Sequence, residues 1–99
     1  MEVNTTLNEW VEYPLSTHET AWYIRKWITE TALGPLSIYE YSACDRQHTI
    51  LYNIYMPGCS KQGFPISGGT TSTLEQAKEE AQKNFNSFVE QKFAIHNKR

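Results

Sequence analysis

Long apolar runs are missing from this chain. Nothing approaches the roughly 18 consecutive apolar residues that a membrane-crossing helix needs, and the opening MEVNTTLNEW has neither the basic start nor the apolar stretch of a secretory leader. The expectation is therefore a cytoplasmic protein without membrane contact. Cysteine is scarce too. Cys44 and Cys59 form no C-x-x-C pair, so a redox or zinc motif is absent and the two read as free thiols of a reducing compartment. His18, His48 and His96 stand far apart, without the H-x-x-x-H spacing that places two ligands on one helix face. Cys44 and His48 are four apart, which aligns them only on a helix, and the strand patterns on either side contradict one. The glycines of GFPISGG (63–69) follow neither phosphate-cradling order. These gaps leave no catalytic constellation, no metal site and no cofactor site, and the chain is expected not to be an enzyme.

Charge of one sign is lacking as well. Nine basic residues against eleven acidic ones give −2, whereas a general nucleic-acid binder presents a strongly basic face. The balance is uneven: residues 1–40 carry six Glu against Arg25 and Lys26, and the remainder is mildly basic.

What is present is enough for one domain, 1–99. The chain is 39% hydrophobic and 13% aromatic, and large rings supply much of a small core. Aromatic and β-branched residues favour strands at about 7–13, 21–29, 36–42 and 49–56. A tight turn is expected at Gly34-Pro35 and a hairpin connector at 43–48. Residues 57–72 hold four Gly and two Pro and read as a long loop, in which Phe64 and Ile66 add at most a brief edge strand. A helix is expected over about 73–94, opened by a Ser72-x-x-Glu75 capping box. Its stripe of Leu74, Ala77, Ala81, Phe85 and Phe88 recurs at three and four residues. Small at one end and large at the other, that stripe suits a helix lying diagonally across a twisted sheet. The predicted class is α+β: an antiparallel meander of about four strands with one long C-terminal helix across one face.

Two segments, WITETALGPLSI (27–38) and STLEQAKEEAQKNF (72–85), carry a resemblance. From about Trp22 onward the order of features resembles small, largely uncharacterised proteins encoded by phages and prophages. These share a Trp, an Ala-Gly turn, a strand pair and a final "sLEeAKaaAq" helix. The family's usual tyrosine is Leu36 here, and residues 57–72 are longer than typical. A weaker likeness, to HicB-type antitoxins, rests on Pro57-Gly58-Cys59 and on Thr73-Leu74-Glu75-Gln76-Ala77. The phage resemblance implies a small binding protein that inhibits or modulates a host protein such as a defence factor, acting in the host cytoplasm.

The residues themselves supply a candidate surface. With Leu36, Ile38, Ile50, Tyr52, Ile54 and Met56 turned to the helix, Tyr39, Tyr41 and Tyr55 project from the other face, joined by Trp27 beside Arg25. Exposed Tyr, Trp and Arg are enriched at interface hot spots, so Trp27, Tyr39, Tyr41 and Tyr55 are the candidate binding residues. The same rings suit a second function, a nucleic-acid or nucleotide-binding module that stacks bases on its sheet. Homodimerisation through the aromatic face or an edge strand is compatible with either.

Overall fold

A computed structural model describes Leu7 and residues 9–97 of the chain, with side chains as far as Gln91; His96 therefore lies outside the side chains described. Five strands follow one another: β1 (Val11–Tyr13), β2 (Arg25–Thr31), β3 (Gly34–Ser42), β4 (Ile50–Cys59) and β5 (Pro65–Thr71). One α-helix, α1 (Leu74–Asn97), follows them among the described residues. The strands form a single sheet in the order β1-β2-β3-β4-β5, every neighbour antiparallel. The α+β meander with a C-terminal helix is thus as expected, with five strands rather than about four.

Register decides which side chains share a face. Trp27 opposes Ile38, and Ile38 opposes Ile54. That row lies under α1, together with Leu36 and Met56, and it closes on Ala77, Ala81, Phe85 and Val89. Fully burying a side chain such as Phe85, Leu36 or Ile38 stabilises the fold by about 1.5–3 kcal/mol, so this row is the main cohesive element. The helix packs mainly on β5 and β4 and less on β3. Leu7 and Trp10 pack at the edge of the same core, and the Leu7 amide donates to Gln82 Oε1 at 3.3 Å.

Several local expectations change. The strand expected at 7–13 is strand only at 11–13, and residue 8 lies outside the described residues. The strand expected at 21–29 begins at Arg25, because Glu19–Ala21 form a short 3-10 turn. The tight turn falls at Ala32-Leu33, two residues earlier than Gly34-Pro35. Thr31 pairs with Gly34 across it, and the Thr31 hydroxyl donates to the Gly34 carbonyl at 2.6 Å. Gly34 has φ 116°, a conformation that glycine alone adopts without strain.

The largest correction concerns 57–72. Pro57-Gly58-Cys59 continue β4 through a register shift, a short turn at 60–64 follows, and 65–71 form a full edge strand. Of the glycines that read as loop, Gly68 is there for clearance. A Cβ on Gly68 would stand 2.5 Å from Met56 Cε and 2.8 Å from Ile54 Cγ2, a close approach of the kind glycine in a strand often marks. Asn84 on α1 donates through its side-chain amide to the Gly68 carbonyl, fixing the helix against this edge.

Helix initiation also shifts by one residue. The Gln76 amide donates to Thr73 Oγ1 at 3.1 Å, so Thr73 is the capping residue, and Ser72 instead donates its hydroxyl to Gln76 Oε1.

Candidate binding face

The face of the sheet away from α1 is partly roofed by the chain's own segment 16–24. Its start is a reciprocal box: the Ser16 amide donates to Glu19 Oε1 at 2.9 Å and the Glu19 amide to Ser16 Oγ at 3.3 Å, the arrangement that opens helices. The box aims the Glu19 carboxylate down at the sheet. There Lys26 Nζ donates to Oε1 at 2.8 Å and the Tyr39 hydroxyl donates to Oε2 at 2.8 Å. The Lys26 ammonium, then the Ser16 amide, hold the Glu19 carboxyl down at about 2.

Tyr23 closes the roof. A two-residue alternation running back from Trp27 would put Tyr23 on the core face. The strand starts only at Arg25, however, and Tyr23 swings to the opposite side. Its ring lies 4.5 Å from that of Tyr39, and Tyr39 meets Tyr55 edge-on at 5.6 Å. The Tyr23 and Tyr55 hydroxyls are 3.4 Å apart and share a hydrogen bond, while Asn53 Nδ2 donates to the Tyr55 oxygen at 3.3 Å. Thr70 Oγ1 donates to Asn53 Oδ1 at 2.8 Å, which ties the array to the edge strand. The bond to Tyr55, then burial, pushes Tyr23 up to about 12. Burial, then the bond to Glu19, raises the Tyr39 phenol well above its usual range. Tyr23 and Tyr39 therefore stay neutral at physiological pH.

Beside them lies a depression of about 480 Å³ lined by Tyr23, Tyr39, Tyr55, Pro35, Pro65 and the Gly58-Cys59 corner, among others. Among the described residues no charged side chain lines it. Its volume falls within the range of about 300–1,000 Å³ typical of ligand clefts.

Of the four residues expected to bind, Tyr39 and Tyr55 are brought together at this depression. Tyr41 is half-buried on the same face, near enough to Tyr23 to act on its charge, but does not line the depression. Trp27 does not join them. It is 7% exposed and packs in the core under α1, with Arg25 stacked 5.5 Å from its ring and Tyr52 beside it. Periodicity within one strand cannot tell which face is the core; that follows from the pairing of Trp27 with Ile38, which sequence alone does not supply. Missed altogether were Glu19, Lys26 and Tyr23. The Ser16-x-x-Glu19 spacing was the available signal, since it is the same pattern noticed at 72–75.

Among the described residues no three His, Cys, Asp or Glu gather as metal ligands, and none of the helices is long and apolar enough to cross a membrane. Cys44 and Cys59 are exposed free thiols. His48 occupies a turn with φ 50°, stabilised by Asp45 accepting from the Thr49 amide and hydroxyl. Compared with protein-family models, curated proteins and solved structures, the chain matches none.

Proposed function

We propose that the chain is a small non-enzymatic binding protein whose open sheet face engages a host-cell protein and thereby inhibits or modulates it. The observation that carries this reading is the grouping of Tyr23, Tyr39 and Tyr55 around an uncharged depression on the face away from α1. Rings held in place by hydroxyl bonds lose little freedom on binding, and rigid Tyr surface is the kind that dominates interface energetics. The host as the source of the partner, its cytoplasm as the place of action and a defence factor as the target all rest on the resemblance of 27–38 and 72–85 to phage-encoded proteins.

A nucleic-acid or nucleotide module built on the same tyrosines is less well supported. Stacking binders add cations that track the phosphates, yet here Lys26 is engaged by Glu19 and Arg25 by Glu12.

The test is capture of tagged protein from bacterial lysate beside a folded Tyr39→Ala/Tyr55→Ala variant, followed by calorimetry with the purified partner. The expected result is a stoichiometric complex weakened at least tenfold in the variant. Recovery of nucleic acid, or equal binding by both forms, would sink the reading.

A further inference from the structure

We infer that the depression beside Tyr23, Tyr39 and Tyr55 receives a proline-rich peptide in the polyproline II conformation; this rests on the protein-binding reading of the same face and specifies the partner's chemistry. Charge is the first ground. The charges of Glu19 in the roof and Lys26 on the sheet cancel one another at 2.8 Å, and among the described residues no Asp, Glu, Lys, Arg or His lines the floor or walls. An occupant carrying charge where it seats would lose hydration without gaining a counter-charge, at substantial cost. An uncharged segment loses nothing of the kind.

Hydrogen-bond arithmetic is the second ground. The Tyr55 oxygen accepts from Asn53, and one of the Tyr23 and Tyr55 hydroxyls donates to the other. Whichever donates, one phenolic hydrogen of the pair is left uncommitted among the described residues. The site therefore offers a donor and calls for an acceptor. A polyproline II segment presents solvated carbonyls, and its prolines bring no amide hydrogens that would need partners.

Shape is the third. The walls are aromatic rings and the flat edges of Pro35 and Pro65, surfaces on which pyrrolidine rings pack, and aromatic-lined grooves are the recurrent receptors of such peptides. The peptide's fixed φ also limits the entropy it loses on docking.

The experiment is an amide chemical-shift titration of the full chain with end-capped decaproline, beside a Gly-Ser peptide of equal length and an end-capped apolar peptide designed to be helical. Decaproline should shift Ser37, Tyr39, Tyr55 and Gly58 saturably, with a Kd of about 1 mM or tighter. The double variant Tyr23→Phe/Tyr55→Phe should weaken it several-fold with the fold intact, because it removes both phenolic hydrogens and keeps both rings. No saturable shift with decaproline, equal shifts with the Gly-Ser peptide, or stronger binding of the helical peptide overturns the inference. If decaproline fails while Tyr39→Ala/Tyr55→Ala still abolishes partner capture, the peptide class alone is wrong and the face remains the binding face.

Discussion

At Glu19 a single carboxylate accepts from Lys26, Tyr39 and the Ser16 amide, and so joins the roof to the sheet. Replacing it with Gln removes the charge and keeps the shape. Partly solvated pairs are screened, so the expected loss is about 0.5–1 kcal/mol, read as a lower urea midpoint at pH 7. The sign of the pH dependence follows from the direction of the shift. Glu19 is held below its ordinary 4.5, so its contribution is present above that pH and fades as pH falls toward 2. The midpoints of the parent and Glu19→Gln should therefore converge over that acid range. Tyr23 shifts the other way, up to about 12. Its contribution is intact below the usual phenol range near pH 10 and is lost as pH rises toward 12, where stability should fall. Spectrophotometric titration should find three phenols, Tyr23, Tyr39 and Tyr52, ionising late, and in Glu19→Gln the Tyr39 phenol should ionise earlier. At this scale the sequence was only partly readable. Tyr39 and Tyr55 were identifiable from strand alternation, but Trp27 was assigned to the wrong face and the Glu19 latch depends on a roof that folds back over the sheet.

Among the elements, α1 was the most legible, because its stripe needs only helical periodicity. Ala77, Ala81 and Phe85 are all 0% exposed. Ala81→Leu should overpack the interface and destabilise by about 1–3 kcal/mol, seen as a lower urea midpoint. The cap gives a sharper contrast. Thr73→Ala should cost about 0.5–2 kcal/mol, whereas Ser72→Ala should cost less, since Thr73 accepts from a helix amide and Ser72 bonds only to a side chain of the helix. β5 was the least legible element. Its Gly68-Gly69 pair reads locally as a breaker, and the reason for glycine lies across the sheet in Ile54 and Met56 and above it in Asn84. Gly68→Val should destabilise more than Gly63→Ala does. A side chain at Gly68 meets packed atoms, whereas Gly63 faces open space and its φ of 85° adds only local strain.

For the molecule as a whole, a five-stranded sheet with one helix has two faces and covers one of them. The other is closed in part by residues 16–24 and left open beside Tyr55. Apolar alternation made the layered arrangement readable, whereas the path of 14–24 was not, because polar turn residues specify no destination by themselves. The central claim is that the tyrosine face is the working surface. Its most direct test is hydroxyl-radical footprinting of the chain alone and in complex with its captured partner. The account predicts protection of Tyr23, Tyr39 and Tyr55 with the outer surface of α1, around Glu79 and Lys83, unchanged. Protection of that helix surface with the three tyrosines unaffected would contradict it.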